Sequence, residues 1–414
     1  MGLGKSILAA SVLALSLTAQ RANADWPQWR GVARDGHADS TLLPPPAEQP
    51  WNAAWKISIG PGHSSPIISG ERVYFLDEHE SEEVAHAVDL ATGKKVWDKP
   101  FSRSSGDEWG SGPRSTPFAD ADSLYVQSCV GQFARLNIKD GSVVWQTSFE
   151  KDFGVPFLGS KAGEGTASRR GNNGSGLAVG DLVILPVGKT DGATLVAFAK
   201  ADGKIRWKVG TEEAAYSSLV SADLAGRGVV IGLMADSLMI VDRVSGQLLA
   251  KQALRTSAKR HAASPVVVGN TVVVNSHTFG TIAFEASTDA SGFRFSEKWR
   301  NTDAKVNLAT FVSYDGSLFD QGPQRDYICL DASTGKQRWS IPEFGKDYAS
   351  SILVGKNLMV LTDQGELVWF AAGREAPVAV QRRQLTGKTW SHPAVSGKWF
   401  VVRDQRELAA YLLQ

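Results

Sequence analysis

Short apolar runs separated by turn residues recur along nearly the whole chain, and residues 64–97 show the unit most clearly. The run Pro66 to Ser69 leads to a turn at Gly70-Glu71 and then to the β-rich run Val73 to Leu76. A polar stretch follows, then Ala85 to Leu90, the turn Asp89-Leu-Ala-Thr-Gly93, and a last run ending on Trp97. Valine, isoleucine and tyrosine bounded by Gly and Asp specify strands. Gly93 supplies the positive φ that a tight hairpin bulge requires. The unit is a four-stranded antiparallel meander.

It recurs at residues 116–145, 175–207, 217–250, 263–299, 310–339, 350–380 and 391–413, giving eight copies. Most keep the last turn, as Asn137 to Gly141, Ala201-Asp202-Gly203, Asp242 to Gly246 and Asp331 to Gly335; the fifth copy is longer and rebuilds it. A period in the forties with four short strands per repeat predicts an all-β, eight-bladed β-propeller. Residues 55–59, Trp-Lys-Ile-Ser-Ile, read as the last strand of a blade that lacks its beginning. The final repeat shows three strands and stops. An N-terminal strand completing the last blade closes the ring and leaves no open sheet edge. The propeller then spans residues 55–414. Residues 25–54, with three consecutive prolines at Pro44 to Pro46, form an extended strap that docks through Trp26, Trp29 and Trp51.

Composition fits this picture. The 41 glycines suit a turn-rich chain, and of 13 tryptophans six stand at equivalent repeat positions: Trp55, Trp97, Trp145, Trp207, Trp299 and Trp339. An aromatic at a fixed repeat position packs between stacked units. Residues 1–24 read as a secretory leader: Lys5, an apolar run from Ile7 to Thr18, and a cleavage site at Ala22-Asn23-Ala24. The expected location is periplasmic or secreted. No cysteine stands at the cleavage point, so no lipid anchor is expected, and no later segment approaches the about 20 apolar residues of a membrane span. Removing Lys5 and Arg21 with the leader leaves 42 basic against 43 acidic residues, with no basic run longer than two. Nucleic-acid binding needs a basic stripe to neutralise phosphates, so that class is excluded. Cys129 and Cys329 fall in the second and sixth repeats, on opposite sides of the ring, and read as separate buried thiols.

Three stretches between repeats are long: residues 101–114, 149–174 and 288–308. Long loops on a tightly turning scaffold are functional or disordered rather than accidental. In a propeller the segments entering the innermost strands meet at one mouth of the central channel. In register they place His63, Arg114, Arg170, Asn172, Tyr216, His261, Asn307, Tyr348, Trp390 and His392 on that rim. The hairpins between second and third strands add Gln132, His277, Gln321, Gln364 and Arg406. Convergent polar and aromatic groups of this kind present a ligand or partner site. No spacing among them demands a reaction, and no catalytic residue is assigned. His79-Glu80-Ser81-Glu82-Glu83 misses the zinc-protease motif at its last residue, and the acidic run Asp77 to Glu83 reads as a solvated hairpin, so no metal site is assigned. Gly154 to Lys161 is no phosphate loop, because its Ser and Lys are reversed and no helix follows.

The pattern S-P-x-x-x-G-x-x-V-Y followed by D-x-x-T-G-x-x-x-W, clearest in residues 65–97, 116–145 and 331–339, resembles the pyrroloquinoline-quinone (PQQ) repeat family. The opening Trp26-Pro-Gln-Trp29-Arg-Gly31 with Arg34-Asp-Gly36 is similar to secreted bacterial PQQ-binding-like propellers. The resemblance covers nearly all of the chain after the leader. It implies either of two roles: a quinoprotein alcohol dehydrogenase using PQQ with calcium, or a non-catalytic binding propeller like the outer-membrane assembly lipoprotein BamB. The adjacent cysteines and the C-x-x-C-H haem site of the dehydrogenases have no counterpart here, nor has the lipidated cysteine. The expectation is a secreted binding or scaffold propeller, without cofactor, whose channel face takes a protein or cell-envelope component. The alternative is a PQQ-dependent oxidoreductase with an atypical site.

Overall fold

The computed structural model describes residues 25–157, 159, 171–256 and 258–414. Residues 1–24, expected as a leader, and the candidate Arg170 lie outside them. Eight four-stranded antiparallel blades form the propeller, the seventh extended by a short parallel strand, His37–Ala38, and a single short helix, Phe149–Phe153, is present among the described residues. The first blade is Ile67–Ser69, Arg72–His79, Glu82–Asp89 and Lys95–Arg103, each paired with the next. Its second and third strands are buried along most of their length and the last alternates exposed and covered positions. Strands covered on both faces read as continuous apolar runs, whereas a one-sided strand alternates.

Trp55–Ser58 pairs antiparallel with Glu407–Leu412 and completes the sheet of Ala394–Ser396 and Trp399–Arg403. The ring is thus closed by the N-terminal strand.

The repeated tryptophan and the repeated turn form one device that joins neighbouring blades. The indoles of Trp55, Trp97, Trp145, Trp207 and Trp299 lie on the turn glycine of the next blade. A Cβ added to Gly93 would lie 2.7 Å from Trp55, and one added to Gly141 or Gly203 would lie 2.8 Å from Trp97 or Trp145. These glycines have φ near +70°, open to residues without a Cβ at little strain. The indole N–H donates to a carbonyl of the same turn region: Trp55 to Leu90 at 2.8 Å, Trp97 to Ile138 at 3.2 Å, Trp145 to Lys200 at 2.8 Å and Trp299 to Ala332 at 3.0 Å.

Three details differ from the sequence reading. The stretch 288–308 is mostly strand: Gly292–Asn301 pairs along its length with Gly280–Asp289, and Phe295 stacks on Phe284 at 5.3 Å. The seventh blade ends on Gln381–Gln384, beyond residue 380. The acidic hairpin is solvated on one side only. Asp77 and Glu83 are buried, because they point inward to His86 and to the backbone N–H of Cys129.

Candidate functional site: the axial cavity

A belt of hydroxyls lines the axis where the chain enters the inner strands. The N–H of Ser65 donates to Thr116 Oγ1 (3.3 Å), that of Thr116 to Ser175 Oγ (3.0 Å), and that of Ser175 to Ser218 Oγ (3.1 Å). Ser218 donates to Ser264 Oγ, Ser264 to Thr310 Oγ1, and His392 across the seam to Ser65 Oγ. At six blade junctions a backbone donor is thereby satisfied by the neighbouring blade where no sheet partner is available. The small residue that opens each repeat is the sequence signal for this belt.

The strap fills the channel beside the belt. Trp26 bridges to Ile68 in the first blade, and His37–Ala38 runs parallel to Ala349–Val354 in the seventh. Between them the chain crosses the axis, with Arg30 and Arg34 at positive φ and both side chains buried. Arg34 donates to the carbonyls of Leu219 (2.7 Å) and Gly176 (2.5 Å); Arg30 donates to those of Thr310 (2.8 Å) and Phe311 (2.6 Å). Burial lowers the Arg34 guanidinium to about 9, which leaves it charged at neutral pH. One segment so ties inner strands from the third, fourth and sixth blades. Trp29 forms part of the cavity wall above.

The cavity measures 380 Å³. Its aromatic lining comprises Trp29, Trp109, Trp390, Tyr216, Tyr348 and His63. Trp390 stacks on His63 at 5.1 Å and meets Trp109 at 5.4 Å. Trp109 sits in a small ribbon, Gly106–Asp107 with Gly110–Ser111, and is 48% exposed. Arg114 holds that ribbon in place through Asp107 (2.7 Å) and the Gly110 carbonyl (3.1 Å). His63 Nε2 faces the Trp109 carbonyl at 3.0 Å, so it donates, and Nδ1 accepts from the Gln405 amide at 3.2 Å. Both contacts suit a neutral ring. Burial, together with the nearby Arg114, lowers its pKa to about 4. The result is an aromatic cleft whose imidazole is neutral, with Arg114, Arg260 and Asp347 in its walls.

Of the residues expected on this rim, His63, Arg114, Tyr216, Asn307, Tyr348 and Trp390 line the cavity. Asn172, His261 and His392 are buried beside it. Asn172 is bonded to the Cys129 carbonyl, and His261 donates to the Leu254 carbonyl at 3.0 Å. His392 is covered by the strap, stacked on Trp26 at 6.0 Å with Trp29 edge-on at 6.1 Å. Burial pushes the His392 imidazole down to about 3. Among the hairpin residues, His277 and Gln321 line an adjoining depression of 320 Å³ that shares Asn307 and Asp347 with the cavity, and Gln364 lines another near Arg325. Sequence reasoning did not place Trp29, Trp109, Arg260 or Asp347 here. Trp29 lies in the strap, and Trp109 lies in the middle of a loop, so neither falls at a repeat position.

Fold and cleft together define a propeller of the PQQ-repeat class. Within it, residues 80–340 match the family model described as outer membrane protein assembly factor BamB, and the chain belongs to that family. It is 27% identical over 208 residues to the outer membrane protein assembly factor BamB of Burkholderia pseudomallei (strain K96243). That match takes in 48% of this chain and spans less than half, 45%, of the relative's length. Among solved structures, BamB from Moraxella catarrhalis superposes with a TM-score of 0.55 at 12% identity, covering 88% of this chain and 98% of that one. A europium-containing methanol dehydrogenase gives 0.50 at 13% identity over 95% and 99%. These likenesses are of fold. No helix among the described residues is long and apolar enough to cross a membrane.

Proposed function

We propose that this chain is a secreted, non-catalytic binding propeller of the cell envelope that takes a projecting segment of a partner protein in its axial cleft. The observation that carries this reading is the cleft's wall of Trp29, Trp109, Trp390, Tyr216 and Tyr348 with Arg114. Tryptophan, tyrosine and arginine dominate binding energy at protein interfaces, most of all in pockets that exclude water. Membership of the BamB family supports a scaffold role in envelope assembly. The donor set favours this over PQQ with calcium. Asp347 is the one carboxylate among the described lining residues, and Asp107 is engaged by Arg114. Calcium takes about six to eight oxygen ligands, carboxylates prominent among them.

Selection of displayed peptides on the immobilised protein tests the reading. Selected peptides should lose at least about 30-fold in affinity to Trp390→Ala, the loss of a strong anchor. The double variant Lys94→Ala/Lys336→Ala, on the turn face, should bind them unchanged. Peptides indifferent to Trp390→Ala, or quinone absorbance retained after dialysis with PQQ and Ca²⁺, would overturn it.

A further inference from the structure

The first blade carries a second cluster, outside the axial cleft. Asp77 and His79 occupy alternate positions of Arg72–His79, so their side chains share one face. His86, on the neighbouring strand, pairs with Phe75 and so lies diagonal to Asp77. Asp77 Oδ1 is 2.7 Å from His86 Nε2 and its Oδ2 is 3.1 Å from His79 Nε2. All these ligand atoms lie within 4.8 Å of one another. The two imidazoles stand edge to face at 5.5 Å.

Three further features suit a ligand set. His86 Nδ1 lies 2.8 Å from Asp98 Oδ1. A carboxylate behind a histidine fixes the ring and directs the other nitrogen forward, as metal-bound histidines require. Phe75 stacks on the same ring at 4.6 Å and holds its plane. Third, the site has an inner and an outer side: the Asp77 and His86 side chains are 1% and 11% exposed, whereas that of His79 is 53% exposed. An incoming ion can enter past His79 and keep water as a further ligand. The charged neighbours do not block it. Lys95 pairs with Asp98 at 2.9 Å, and the buried Arg403 is bound to the carbonyls of Leu76 (2.6 Å) and Gly60 (3.0 Å).

We propose that Asp77, His79 and His86 form a binding site for a divalent transition metal of the zinc class, with Asp98 as the positioning residue behind His86. Two imidazoles and one carboxylate suit zinc-like ions, whereas calcium and magnesium prefer all-oxygen sets. Bonds of about 2.0–2.2 Å place tetrahedral donors roughly 3.3 Å apart, so the carboxylate–imidazole spacings of 2.7 and 3.1 Å open by up to about half an ångström and the ligand atoms that lie up to 4.8 Å apart draw together around the ion. Asp77 Oδ2 also accepts the N–H of Gly60 at 2.8 Å, directly beyond the closing strand Trp55–Ser58. A bound ion therefore braces the seam of the ring.

The test uses tag-free full-length protein titrated with Zn²⁺ by calorimetry and with Co²⁺ by visible absorption. One ion per chain, tetrahedral Co²⁺ bands and a raised melting temperature in Zn²⁺ are expected. His79→Ala, at an exposed position, keeps the fold by circular dichroism and loses both the bands and the thermal shift. Asp98→Asn retains the bands but binds about 10–100-fold more weakly. Absence of Co²⁺ bands in the parent protein would overturn the proposal and leave His86 as an imidazole hydrogen-bonded between two carboxylates. Equal binding by His79→Ala would overturn it too, by locating the ion elsewhere.

Discussion

Replacing Gly141 and, separately, Gly180 by alanine isolates the tryptophan–glycine device that joins the blades. Both glycines lie in turns at positive φ, +73° and +53°. At Gly180 an added Cβ meets nothing within 4 Å, whereas at Gly141 it lies 2.8 Å from the Trp97 ring. A left-handed alanine costs about 1–2 kcal/mol, and both variants incur it. Only Gly141→Ala adds the overpacking of a filled contact, about 1–3 kcal/mol. Trp97 cannot easily retreat, because it is 8% exposed and its N–H is bonded to the Ile138 carbonyl. Gly141→Ala should thus be destabilised by about 2–5 kcal/mol and Gly180→Ala by about 1–2 kcal/mol. Urea unfolding followed by circular dichroism measures both. In a Trp97→Ala background the excess at Gly141 should vanish, the signature of a direct pairwise contact. Equal losses at the two glycines, or an excess that survives without Trp97, would refute the docking role.

Further outcomes are expected. Deleting residues 55–59 removes the closing strand and should lower the melting temperature of the whole ring; cooperative melting at the parent temperature would contradict closure by Trp55–Ser58. Denatured, unreduced protein should titrate two free thiols, since Cys129 and Cys329 are both unpaired and buried, and a linked peptide found by mass spectrometry would contradict this. Burial raises the Glu83 carboxyl to about 7 despite its bonds to Cys129 and Ser128. The folded state then holds this proton more tightly than the unfolded chain, so the contribution is full below about pH 4.5 and falls by about 3 kcal/mol as pH rises to about 7. Glu83→Gln should flatten that part of the stability–pH curve, and a curve parallel to the parent's would rule the assignment out.

Most of the scaffold was legible in the sequence because its signals are periodic. The turn glycines, the tryptophans and the small residues opening each repeat recur in register, and the incomplete first and last repeats complement one another. The candidate site was legible in part. Register locates the segment that enters an inner strand but not the direction of each side chain. Trp390 therefore faces the cleft, while His392, two residues on, is stacked under Trp26. His261 turns away to the Leu254 carbonyl. The strap carries no repeat signal, so neither Arg30 and Arg34 crossing the axis nor Trp29 in the cleft could be read from periodicity. The pair Asp77 and His86 was hidden for another reason: nine positions apart in sequence, they meet only because the hairpin register sets them diagonally across two strands.

A photo-crosslinking amino acid placed at position 109, in the wall of the axial cleft, and at position 336, on the turn face, tests the binding role most directly. With both variants expressed in the native envelope and irradiated, position 109 should yield a discrete protein adduct that disappears when Trp390→Ala is added, and position 336 should yield none. Adducts from position 336 alone, or an adduct at position 109 indifferent to Trp390→Ala, would contradict a partner bound in the cleft.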